Sequence, residues 1–160
     1  ASDVYKRQIP RHAHKRGTCQ KGQPFKGNVE GCDPRYSFRW VGKSNTVYVF
    51  EAPIDMLSFI SMYQKGWMDH SYVALCGVAE HALMQLLNDA PHISQIALCL
   101  DHDKAGIQAR ERIKKNLSER GYHMVFSLFS NLKDWNEDLQ ELKKPPPEYM
   151  NRQQTVIQMM

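Results

Sequence analysis

The sequence predicts an α/β domain built on a parallel four-stranded sheet with helices on both faces, preceded by a small β-rich basic segment. Two observations lead there. From Thr46 onward, apolar runs of five to eight residues alternate with stretches of helical periodicity, ending in a polar loop that enters a short helix. Strands alternating with helices imply right-handed crossovers between parallel neighbours, with a helix layer on each face. Acids also gather just past the ends of these runs, at Glu51, Asp55, Asp101, Asp103 and Asp134. The C-terminal strand edge is where open α/β sheets place their ligands.

Taken in order, residues 1–8 lead into nothing periodic and are expected to be disordered or foreign to the domain. The chain opens without a Met and reads as a fragment of a longer protein. Residues 9–45 form the basic lead-in, with glycines bounding short runs as turns. Tyr36, Phe38 and Trp40 alternate with Ser37 and Arg39, a period-2 strand signal. The domain itself spans 46–143, and 144–160 forms a tail in which only 156–160 hints at a helix.

TVYVF (46–50) is β-branched and aromatic, hence a strand ending at Glu51. Pro53 suits the first turn of the helix that follows over 56–65, and Gly66 lies past its end. SYVALCG (71–77) is the second strand. A helix over 79–88 buries Val78, Ala82, Leu83, Leu86 and Leu87. IALCL (96–100) is the third strand. Ala105, Ala109, Ile113 and Leu117 mark the apolar face of a helix running to about Arg120, closed by Gly121. YHMVFSLF (122–129) is the fourth strand, and the loop from Asn131 enters a last short helix.

Composition is that of an ordinary globular protein of 160 residues. No apolar run approaches the ~18 residues of a membrane span, and there is no secretory signal pattern, so no membrane partner is expected. The four cysteines are not spaced as a disulfide scaffold, and Cys76 and Cys99 sit in apolar runs as buried thiols do. A reducing, cytoplasmic setting is the default expectation. His12, His14, Cys19 and Cys32 fit no compact pair of zinc ligands.

The net charge of +4 is uneven. Up to Thr46 there are ten Lys/Arg against three acids, and beyond it eleven against fourteen. A basic arm beside a mildly acidic domain points to a polyanion next to a cation-binding centre. Lys15, Arg16, Lys26, Arg35 and Arg39 are the candidate nucleic-acid contacts, and the interleaved aromatics suit either base stacking or packing on the main domain. Asp101 and Asp103, one residue apart, admit two readings. Two carboxylates projecting together repel unless a hard cation such as Mg²⁺ lies between them. Equally, Asp103 suits a helix cap and Asp101 a turn.

FEAPID (50–55) and LDHDKAG (100–106), followed by LKDWNEDL (132–139), resemble the E-G-x-x-D, D-x-D-x-A-G and K-D-x-x-x-x-L motifs of the Toprim domain, in its primase-like branch. The resemblance spans roughly two thirds of the chain, from Thr46 to Leu142. FEAPIDMLSF, with FKGNVEG and YSFRW before it, looks most like the Toprim proteins of bacterial mobile and conjugative elements. Ala52 replaces the usual glycine, and Asn136 stands where a second Asp is common. The resemblance implies Mg²⁺, or Mn²⁺, held by Asp101 and Asp103, with Asp55 and Asp134 as further ligands. It implies Glu51 as catalytic acid/base or ligand, and Lys104 or Lys133 against a triphosphate. It further implies primase-like nucleotidyl transfer on single-stranded DNA from nucleoside triphosphates, with a helicase or relaxase as a possible associate. A Toprim nuclease or a non-catalytic DNA-binding module of a replication protein are the alternatives. A topoisomerase is disfavoured, because no tyrosine has the setting of a nucleophile.

Overall fold

The computed structural model describes residues 11–17, 25–77 and 79–144. A two-stranded antiparallel ribbon comes first, β1 (His14–Arg16) against β2 (Lys26–Asn28). Then follow β3 (Arg39–Trp40), β4 (Thr46–Phe50), α1 (Pro53–Met62), β5 (Ser71–Ala74), α2 (His81–Asp89), β6 (Gln95–Leu98), α3 (Lys104–Glu119), β7 (Met124–Ser127) and α4 (Trp135–Leu142). The expected segments 1–8, the helix hint at 156–160, and residues Cys19 and Val78 lie outside the described residues.

The main sheet has the order β3-β5-β4-β6-β7. Strands β4 to β7 are parallel, as expected from their alternation with helices. A fifth strand, β3, joins β5 antiparallel at the edge, so the lead-in contributes to the sheet. It is shorter than the alternation of Tyr36, Phe38 and Trp40 predicts. Pro34–Tyr36 instead forms a 3₁₀ turn, because Asp33 caps it through the Arg35 N–H and Pro34 holds φ in the helical range.

Alternation along β4 sends Val47 and Val49 to one face and Tyr48 and Phe50 to the other. The first face packs against α2 and α3, with Leu83, Leu86, Ile113 and Leu117 buried. The second packs against α1 and α4, through Met56, Phe59 and Trp135. Burial on both faces is why these strands read as continuous apolar runs. Among the described residues no helix is long and apolar enough to cross a membrane.

One side chain departs from its expected place. Cys99 is fully buried, but Cys76 is half-buried in the loop after β5. There it holds a positive φ of 56°, with its Sγ 3.0 Å from the Ser37 hydroxyl. The apolar run SYVALCG outlasts its strand, because the ladder ends at Ala74.

Candidate metal centre at the switch point of the sheet

From β4 the chain crosses to β5 on one side, then returns past β4 to β6 on the other. The crevice between the C-terminal ends of β4 and β6 is therefore the topological switch point. Glu51 follows β4 directly, and Asp101 lies three residues past the end of β6. Both line one cleft of about 210 Å³, with Ala52, Cys76 and Gly77. The ribbon closes it, since His14 and Gly27 line it too.

Each acid is set by its own local device. Asp101 is buried at 6% exposure. The backbone around it is held from three sides. Arg110, buried in α3, donates from Nη2 to the Leu100 carbonyl at 2.8 Å. Trp135 Nε1 donates to the Cys99 carbonyl at 2.9 Å. Gly106 packs so closely that a Cβ there would stand 2.2 Å from the Asp101 carbonyl oxygen. Glycine is required at 106 by this close approach of α3 to the strand end.

Asp103 caps α3, its Oδ1 accepting from Gly106 N–H at 2.9 Å. Asp134 caps α4 in the same way, through Glu137 N–H at 2.8 Å. The cap reading of Asp103 is thus realised, and the second oxygen of each carboxylate is not used in that bond. The two loops are joined where His102 N–H donates to the Lys133 carbonyl at 2.8 Å.

Asp55 is buried in the first turn of α1. Its Oδ1 accepts from Asn136 N–H at 3.3 Å. Burial, followed by the charges of Asp101 and Asp134, pushes its carboxyl up to about 7, against the opposing pull of Asn136 N–H and Arg16. Asp55 therefore feels the charges of Asp101 and Asp134, which come from two other segments of the chain. The Asn136 carboxamide oxygen is engaged elsewhere, 3.4 Å from the Ser58 hydroxyl.

Of the candidate basic residues, Lys15 and Arg16 are exposed on β1, and Arg16 acts on the charge of Asp55. Lys26 lies in β2. Arg35 is turned back on Asp33, with Nη2 to Oδ2 at 2.7 Å and Nε to Oδ1 at 3.0 Å. Arg39 pairs with Asp89 of α2 at 2.8 Å. Lys104 and Lys133 are exposed beside the acid loops.

Three supporting residues escape a reading of the sequence. Arg110 looks like one more charge on α3. Trp135 looks like an apolar position with no named partner. Asp138 is buried and accepts from Asn131 and Leu132 N–H at 2.9 and 2.8 Å, which shapes the loop presenting Asp134. A charged residue four positions from Gly106, at helical spacing, is the signal that would have found Arg110.

The donor set suits a hard divalent cation, being carboxylate oxygens whose mutual repulsion a cation would relieve. Among the described residues no group of three or more His, Cys, Asp or Glu side chains is gathered for one ion.

These features define the class: a doubly wound α/β domain whose switch point carries carboxylates in place of a glycine-rich phosphate loop. Residues 48–139 match the Toprim-like family, more than half of the chain, and the chain belongs to that family. It is a Toprim-class nucleic-acid enzyme or module, and Toprim domains generally bind divalent metal ions. It is 31% identical over 96 residues to the uncharacterized MG010 homolog of Mycoplasma pneumoniae, covering 59% of this chain and 43% of that protein. It is 30% identical over 97 residues to uncharacterized protein MG010 of Mycoplasma genitalium, covering 59% and 42%. The chain thus spans about two fifths of the length of the curated relatives it matches. Among solved structures, its fold is similar to the primase fragment of the bacteriophage T7 primase-helicase protein. There the TM-score is 0.51 at 24% identity, over 64% of this chain and 41% of that one.

Proposed function

We propose that the chain is the metal-binding core of a primase-like nucleotidyltransferase that works on single-stranded DNA, in the replication or transfer of a mobile element. One observation carries this reading. Glu51 and Asp101 share a cleft at the switch point, and a basic ribbon lies over that same cleft. Asp101 and the second oxygen of Asp103 would hold Mg²⁺, or Mn²⁺, with Asp55 and Asp134 adding negative charge around it. When bound there, the cation would supply charge neutralisation at the phosphates and activation of the attacking oxygen. Glu51 takes the proton of a 3′-hydroxyl as general base. Lys104 and Lys133 balance triphosphate charge at the rim, and Lys15 and Arg16 hold the strand's phosphates. A helicase or relaxase would deliver that strand.

The test supplies unprimed and primed single-stranded DNA, labelled nucleotides and Mg²⁺ or Mn²⁺. New oligonucleotides are the expected product. Shortened substrate would instead make the enzyme a nuclease, and a gel shift with neither would make it a binding module. Asp101→Asn should lower synthesis at least about 10²-fold with the fold intact by circular dichroism, the scale of losing a charge stabiliser in a reaction centre. Full activity in an Asp101→Ala, Asp103→Ala double variant would sink the metal reading.

A further inference from the structure

Beside the acid cleft lies a larger hollow of about 590 Å³, between the ribbon, the 36–38 segment and the start of α1. Its size is that of a small-ligand pocket. One wall is apolar and aromatic, from Tyr36, Phe38, Pro53, Ile54 and Leu57. The other carries His12, His14 and Arg16. His14 and Ala52 line both the hollow and the acid cleft, so the two are contiguous.

Phe38 and Leu57 are 52% and 46% exposed, which leaves large apolar groups facing open space. The Arg11 guanidinium stands 4.3 Å over the Tyr36 ring. The His12 ring lines the hollow beside His14, half-buried and interacting with the Asn28 side chain. The hollow therefore combines a flat apolar wall, a polar edge and a cation, and it opens onto a centre built for phosphate.

The geometry points to a nucleobase subsite: the hollow holds one base of a single-stranded nucleic acid whose adjoining phosphate reaches Arg16 and the acid cleft. This rests on the proposed function and adds to it the place where the strand is gripped by a base rather than by charge. A strand is favoured over a free nucleotide because the hollow runs on into the acid cleft past His14 and Ala52, and Arg16, exposed on the same face of β1 as His14, stands beside it for an adjoining phosphate. Base–aromatic stacking is tolerant of sequence, so no particular base is required.

The test measures fluorescence anisotropy with a labelled single-stranded oligonucleotide and with an equally long strand of abasic residues, at one salt concentration. Wild type should prefer the base-bearing strand by about tenfold, the scale of one stacked base. Leu57→Trp fills the hollow from an exposed helix position, and Phe38→Ser removes part of its wall. Both should erase the preference while leaving affinity for the abasic strand unchanged. Equal affinity of wild type for the two strands, or a preference that survives both substitutions, overturns the subsite and leaves the charge-based reading standing. Failure of wild type to bind either strand overturns both. Loss of the preference to free nucleoside triphosphate at concentrations that do not displace the abasic strand would assign the hollow to a free nucleotide and overturn the strand.

Discussion

The acid edge stands on the buried ends of β4 and β6, whereas the basic ribbon facing it is two strands of three residues joined by three register pairs. At the edge, Arg110, Trp135 and Gly106 each bind or abut the backbone that carries Asp101. In the ribbon, Lys15 and Arg16 are exposed, and Lys15 lies over the Phe25 ring, 5.6 Å away. Like charges brought together repel, and a reaction centre tolerates errors of well under an ångström, so the carboxylates need a stiff frame. Contact with a polyanion is long-ranged and tolerant of position, so the ribbon needs none.

Substitutions paired across the two regions test this contrast. Gly106→Ala should have the largest effect on stability. Its Cβ would meet backbone at 2.2 Å, which forces α3 away from Asp101. Urea denaturation should show a loss of about 3 kcal/mol or more, and Mg²⁺ binding by calorimetry should vanish. Gly27→Ala in the ribbon meets only the tip of the Phe25 ring, at 3.3 Å, and should stay within about 0.5 kcal/mol of wild type. Equal costs would erase the difference between frame and ribbon.

Asp55 comes next. Its folded carboxyl sits at about 7 against an ordinary 3.8, so between those values the folded protein holds a proton that the unfolded chain has released. Metal-free stability should therefore fall as pH rises through that window and level off above it. Asp55→Asn keeps an acceptor for Asn136 N–H but drops the charge. It should flatten the slope and gain up to about 4 kcal/mol at pH 8. Urea midpoints from pH 4 to 8 in EDTA measure this, and an unchanged slope would assign the pH dependence to another group.

Arg110→Met should cost about 1–3 kcal/mol, because the buried Leu100 carbonyl loses its donor. Chemical denaturation reads it, and a neutral result would show that Trp135 and Gly106 hold the strand end unaided. The smallest effects belong to the ribbon. Removing both charges, Lys15→Gln with Arg16→Gln, should weaken oligonucleotide binding severalfold and reduce the salt slope by about 2. Arg35→Gln should leave that slope unchanged, because its guanidinium is spent on Asp33. A salt titration of binding distinguishes the two.

Much of the candidate site was legible because its signals are local. Period-2 and 3.6-residue patterning marked the strands and helices from Thr46 onward, and the acids stand just past strand ends or at helix starts, adjacent to them in the chain. Gly121, with φ of 88°, closes α3 where the pattern breaks. The basic arm was legible only as composition. Arg35 and Arg39 look identical to Lys15 and Arg16 in the chain, yet Arg39 meets Asp89, fifty residues away in sequence. No local pattern carries such a pairing.

The sequence by itself determined the alternating strands and helices and the acids at the strand tips, because backbone periodicity and chain adjacency dictate both. The tertiary structure alone decided the strand order, with β4 between β5 and β6, and so which two acids share the switch-point cleft. It also decided that Arg110 turns inward to the Leu100 carbonyl and that the ribbon lies over Glu51 and Asp101. Those are contacts between segments far apart in the chain, set by which faces find mutual burial and which backbone oxygens still need a donor.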